Sequence, residues 1–243
     1  MATTQTAAQA PDHGAGLIAA PLIVLGGGEH ARVVIEAART LGDRWDVQGY
    51  VAPETDADTA RSTTPIDLPW LGDDAALAAR LQEVAPDDRP WLVLGFGGGE
   101  TPGSLAARAA AAERFGPTAR WASLVHATAW VSPSATLEPG AVILAHAVVN
   151  AGARVGRHAI VNSAAVVEHD VVVGHGSHVA PGAVIGGATR IGEDAFIGLG
   201  ARVRDHIEIG AGAVVGMGAV VVESIEPGAT VVGIPARRHE PGP

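Results

Sequence analysis

The chain has 243 residues, room for one large domain or two modest ones, and a formal net charge of −10, with arginine as its sole strongly basic residue type. Without cysteine it forms no disulfide, thiolate nucleophile or Cys-ligated zinc site. An acidic chain offers no basic surface to track a phosphate backbone, so nucleic acid is set aside as a partner. No apolar run approaches the roughly 18 residues of a membrane span, and the expectation is a soluble, cytoplasmic protein that does not bind membranes.

Residues 1–20 are rich in Ala, Thr and Gln and carry neither the charged nor the apolar region of a secretory signal, so they read as a disordered tail. Pro21–Leu25 is a buried-strand run. Gly26–Ala31 follows as a glycine-rich turn, and Arg32–Leu41 as a helix. Further strands are expected over Asp46–Val51 and Trp91–Leu94, with helices near 73–84 and 104–115. Strand, glycine turn, helix, strand is the signature of a parallel sheet, and residues 21–122 read as a Rossmann-like α/β domain. Gly26-x-Gly28-x-x-Ala31 sits between strand and helix. There, glycines let the backbone approach a phosphate and the helix start favours negative charge.

Near residue 125 the composition changes to Val, Ile, Ala and Gly. Every sixth residue from Val125 to Val221 is aliphatic, seventeen positions of seventeen, and four residues after each stands usually Ala or Ser. A helix needs apolar spacing near 3.6, so this period excludes one. It fits short strands joined by tight corners, three to a coil: a parallel β-helix of hexapeptide repeats over 123–236. Coils of 18 residues then stack about 4.8 Å apart. A lone prism of this kind leaves flat, apolar-leaning sides, which implies a homo-oligomer, most simply a trimer. Residues 237–243 read as a C-terminal tail.

With His30 the turn becomes Gly26-Gly-Gly-Glu-His-Ala-Arg-Val-Val-Ile35. Together with Asn162, Glu168-His-Asp170, His178-Val-Ala-Pro-Gly182 and Gly233-Ile-Pro-Ala-Arg237, it resembles the sugar acetyltransferases related to sialic acid O-acetyltransferase and to the bacillosamine and perosamine N-acetyltransferases. The resemblance spans roughly 21–237. It implies a left-handed β-helix, acetyl-CoA as cosubstrate, no metal, and a first domain that binds a nucleotide-linked sugar through Gly26, Gly28 and His30, with Asn162 beside the substrate. It also implies that His169 is the general base and that His178 and Gly187 lie near the acyl end of acetyl-CoA. Pantetheine would run past Leu199, and Arg237 would meet the phosphates. Two departures stand out. Glu29 places a carboxylate where the family has Gly. Where the family carries Asp after the second strand and an Asp/Asn pair after the third, this chain reads Tyr50-Val-Ala-Pro53 and Gly95-Phe-Gly-Gly-Gly99.

His169, His175 and His178 lie within ten residues. His169 and His175 share one hexad position and so sit on adjacent sides of the triangle, diverging by about 120°. A compact three-His metal site within one chain is therefore not expected. His169 stands between Glu168 and Asp170, either of which would orient its ring. One coil on, 169 + 18 = 187 is a glycine, whose N–H suits a thioester oxyanion. The leading reading is acetyl transfer to the amine of a nucleotide-linked amino sugar. The alternatives are O-acetylation of a free, sialic-acid-like sugar and a γ-carbonic-anhydrase-like metal-dependent lyase.

Overall fold

The computed structural model describes residues 19–54, 66–98, 104–116 and 119–239. Residues 1–18 of the expected N-terminal tail, Gly99, and residues 240–243 of the expected C-terminal tail lie outside them.

The α/β unit runs β1 (Ala20–Leu25), α1 (Glu29–Arg39), β2 (Trp45–Val51), α2 (Asp74–Glu83), β3 (Trp91–Leu94), α3 (Ser104–Phe115) and β4 (Arg120–Trp121). The sheet is parallel in the order β2-β1-β3-β4. Strand β1 sends Leu22 and Val24 into one core and Ile23 and Leu25 into another, as a strand covered on both faces must. Helix α1 begins three residues ahead of the expected start. Gly28 is its extended N-cap (φ −87°), so the helix absorbs the second half of the glycine turn. Strand β4 was not foreseen; two residues, Arg and Trp, carry no periodic signal.

From Leu124 the chain lays down a two-residue strand every six residues, from β5 (Leu124–Val125) to β21 (Val220–Val221). Up to Arg202–Val203 each pairs in parallel with the strand 18 residues on: Val142 with Ile160, Ile160 with His178, His178 with Phe196. The result is a three-sided parallel β-helix. The second residue of each strand is the hexad aliphatic, and those from Leu137 to Val221 are buried in one continuous core. Each buried aliphatic contributes on the order of 1.5–3 kcal/mol. The corners are four-residue turns closed by bonds such as Ala165 N–H to Asn162 C=O at 3.0 Å. From position 140 to 218 the third turn residue is left-handed, with φ from +50° to +81°. Glycine holds half of these places; His, Asp and Ala hold the rest.

The first residue of each strand points outward. On the first face that row reads Leu124, Val142, Ile160, His178, Phe196 and Val214, and all six are buried, because the α/β unit packs on this face. The second face shows Trp130, Val148, Val166, Val184, Arg202 and Val220, exposed or half-buried. The third is the most polar: Thr136, Arg154, Val172, Arg190 and Glu208. The chain closes with β22 (Thr230–Val232) and, antiparallel to it, β23 (Arg237–Arg238).

The small residue that ends each corner differs by edge. Corners leaving the first face carry Ala147, Ala165, Ala183, Ala201 and Ala219, all buried, whereas those leaving the second face reach Val171, Thr189 and Ile207. That second column has room for branched side chains, and the first does not. Ala165→Val is expected to cost about 1–3 kcal/mol by overpacking, and Ala153→Val clearly less. Urea unfolding midpoints of the two variants check this.

Candidate active site

The structure sorts the sequence candidates into two groups on different sides of the prism. The first is on the corner between the second and third faces, where Glu168, His169, Asp170 and Val171 form one turn. Asp170 is its left-handed residue, φ +59°, a conformation Asp tolerates better than most. The turn brings Asp170 Oδ2 to 3.0 Å from His169 Nδ1. An ionised carboxylate only accepts, so Nδ1 carries the proton and Nε2 keeps its lone pair. Glu168 does not meet the ring. It accepts from Asn150 Nδ2 at 3.0 Å, one coil earlier, and from its neighbour's backbone, His169 N–H, at 3.4 Å.

Glycines above and below make the room. A Cβ on Gly187 would lie 2.6 Å from His169 Nε2, and one on Gly152 would lie 2.6 Å from Asp170 Oδ1. Gly187 is thus required first as space for the imidazole. Its N–H has no acceptor among the described residues, as is common for the second residue of these turns. It therefore remains open to a ligand. His169 and Asp170 are both exposed.

The second group lies under the α/β unit on the first face. His178 is the polar break in an apolar row. Its Nδ1–H donates to Gly98 C=O at 3.2 Å, and its Nε2 accepts from Asn162 Nδ2 at 3.0 Å. Asn162 Oδ1 accepts from Ser163 N–H at 2.7 Å, which sets the amide's orientation. His30 stands close by, its ring centroid 6.3 Å from that of His178, and Phe196 meets His178 edge-on at 5.4 Å. Sequence reasoning missed Arg108, which is buried here and gives one Nη2–H to His158 C=O at 2.7 Å. Among the described residues its Nε and Nη1 have no partner. Burial, reinforced by the Arg108 charge, pushes His178 down to about 3, and His30 and His158 to about 4. His158 packs edge-on against Trp121, centroids 4.5 Å apart.

His175 belongs to neither group. It occupies the corner after the third face, where its Nδ1 accepts from Arg157 N–H at 3.0 Å beside Glu138. The three sequence-adjacent histidines therefore point three ways. Among the described residues no group of three or more His, Cys, Asp or Glu is placed to hold a metal ion.

The glycine turn opens into a cleft of about 460 Å³ at the carboxyl ends of β1, β2 and β3, the place where open α/β sheets bind ligands. Gly26 is spoken for by the protein: φ is +116°, and a Cβ would meet Phe96 at 2.8 Å. Gly28 is not, for a Cβ there meets nothing within 4 Å. Leu199 and Met217, one coil apart on the corner after the first face, are both exposed. Arg237 is exposed at the last coil, its Nη1–H on Ala236 C=O.

No family model and no curated protein sequence matches the chain. Solved structures do. The acetyltransferase domain of PglB from Neisseria gonorrhoeae, in complex with acetyl coenzyme A, is 33% identical over 91% of this chain and 100% of its own, with a TM-score of 0.76. PerB from Caulobacter crescentus, in complex with CoA and GDP-perosamine, is 32% identical over 90% of this chain and 97% of its own, with a TM-score of 0.75. The chain belongs to the hexapeptide-repeat sugar N-acetyltransferases of the left-handed β-helix type. WeeI from Acinetobacter baumannii, 17% identical at a TM-score of 0.55, shares the fold.

The buried neutral histidines have a consequence for stability. Their folded pKa values lie below the ordinary 6.5, so between pH 6.5 and about 4 the unfolded chain binds more protons than the folded one. Stability is therefore full above pH 6.5 and is lost as pH falls through that window. In urea titrations at pH 7 and pH 5, His158→Gln is expected to lose less on acidification than the wild type. Equal losses would contradict the assignment.

Proposed function

We propose that the protein transfers the acetyl group of acetyl-CoA to the amine of a nucleotide-linked amino sugar, with His169 as general base. The observation that carries this reading is the His169–Asp170 pair. Its Nδ1 proton is tied to a carboxylate, and its Nε2 lone pair faces an exposed corner beside an uncommitted Gly187 N–H. The amine nitrogen attacks the thioester carbon while Nε2 takes the proton it sheds. Gly187 N–H donates to the oxyanion. Collapse of the tetrahedral species breaks the C–S bond, and the CoA thiolate recovers the proton from His169. Asp170 supports the imidazolium in between. No acyl-enzyme is needed, in keeping with a chain that has no cysteine.

On this reading residues 123–236 carry the transfer and residues 21–122 bind the nucleotide through the cleft at Gly26 and Gly28. His30, Asn162 and His178 line the way between them. Pantetheine follows Leu199 and Met217, and Arg237 meets the CoA phosphates. His169 lies on the edge opposite the face that the α/β unit covers, so the His169 corner and the cleft of one chain do not face each other. A homotrimer brings a neighbour's cleft to each His169, and the half-buried valines of the second face, Val148, Val166, Val184 and Val220, are the surface that supports such contact. Among the described residues no helix is long and apolar enough to cross a membrane, and the donor fits a cytoplasmic enzyme.

The test is steady-state kinetics of CoA release with an amino-sugar nucleotide as acceptor. His169→Ala is expected to lower kcat by on the order of 100-fold or more with little change in the KM for acetyl-CoA. An unchanged kcat would remove His169 from the mechanism. Asp170→Asn keeps the ring's neighbour but loses the charge, and is expected to lower kcat by roughly tenfold and to shift the acidic limb of its pH profile.

A further inference from the structure

Among the described residues that line the glycine cleft, none at the strand ends is the carboxylate or amide that the resemblance calls for: Ala52 and Pro53 follow β2, and Gly95 and Phe96 follow β3. Its polar equipment comes instead from two helices. Asp74, the first residue of α2, and Arg114, in the last turn of α3, both line the cleft and form an ion pair across it. Among the described residues that line the cleft these are the one carboxylate and the one cation. Phe96 lies half-buried between them and the glycine turn.

We propose that Asp74 and Arg114, with Phe96 as the stacking surface, select a guanine nucleotide. This rests on the reading that the acceptor is nucleotide-linked, and names the base. The ion pair sets a carboxylate and a guanidinium side by side in one cleft. Guanine is the base whose edge matches that order. Its N2–H and N1–H are two adjacent donors for one carboxylate, and O6 and N7 are two adjacent acceptors for one guanidinium. Uracil presents acceptor, donor, acceptor, so a carboxylate finds a single N–H. Cytosine offers one amino group at the end of its edge, followed by the acceptors N3 and O2. Adenine has one amino group between N1 and N7. Each of the three leaves part of the Asp74–Arg114 pair unanswered, and so forms fewer hydrogen bonds with it than guanine does. The aromatic face of Phe96 favours the larger purine ring. Gly28, whose missing Cβ nothing in the protein occupies, leaves the cleft mouth free for the sugar-phosphate part.

Calorimetric titration of the intact protein with GDP, ADP, UDP and CDP tests the assignment. GDP is expected to bind on the order of tenfold or more tighter than UDP, the scale of one bidentate pair. Asp74→Asn is expected to remove that preference by weakening GDP and leaving UDP nearly unchanged. Arg114→Gln, which also breaks the ion pair, is expected to weaken GDP more than UDP. Two outcomes overturn the proposal while leaving nucleotide-linked transfer intact: UDP or CDP binding as tightly as GDP, or a GDP preference that survives Asp74→Asn. In the latter case the pair would only staple α2 to α3, and the variants would lower the unfolding temperature alone. Failure of all four nucleotides to bind would overturn the nucleotide-linked acceptor as well.

Discussion

In the solenoid each strand's N–H groups donate to carbonyls seventeen residues on, as Ile160 N–H does to Ser177 C=O at 2.9 Å. This ladder locks residue i over residue i + 18 without exception from Leu124 to Val221. The lock turns a sequence interval into a spatial neighbour, and the corner that bears His169 depends on it. Asn150 lies below Glu168, Gly152 below Asp170, and Gly187 above His169, each offset by one coil. A side chain on either glycine would meet the residue it serves at 2.6 Å. The imidazole and its carboxylate are therefore seated by three successive coils, and the left-handed backbone at Asp170 is one that the stacking above and below over-determines.

A second constraint acts where the α/β unit meets the first face. An apolar row excludes water there, and the groups trapped in it are a guanidinium with two unpartnered nitrogens among the described residues and three histidines held neutral. A cation so poorly solvated raises the cost of every further positive charge nearby. Neutral His178 can then accept from Asn162 while donating to Gly98, which links the solenoid to the loop after β3 through one side chain. This contact fixes Gly98 against the solenoid.

Much of this was legible in the sequence because a period of six is unambiguous. The solenoid's strands, its inward aliphatics, the divergence of His169, His175 and His178, and the glycine one coil above His169 all follow from counting. Counting back by the same 18 residues from Glu168 would also have found Asn150. The helices 73–84 and 104–115 were expected within a residue of their observed ends, whereas α1 began early because Gly28 serves as a cap rather than as the middle of a turn. Arg108 left no trace, since an arginine in an alanine-rich helix reads as solvated until the packing face is known. Asp74 and Arg114 were invisible for a related reason. They are forty residues apart on two helices, and only the tertiary fold brings them into one cleft.

We propose that the corner bearing His169 and the glycine cleft of the same chain serve different sites, each completed by a neighbouring subunit. Co-expression of two separately inactive chains tests it directly. His169→Ala removes the base. Gly28→Leu fills the cleft mouth with a side chain that meets nothing in the protein at its Cβ. In randomly mixed trimers about a quarter of the sites would combine an intact corner with an intact cleft. The account predicts CoA release at about that fraction of the wild-type rate. No activity above the two parent variants, from trimers shown to be mixed, would mean that each chain holds a complete site and would contradict it.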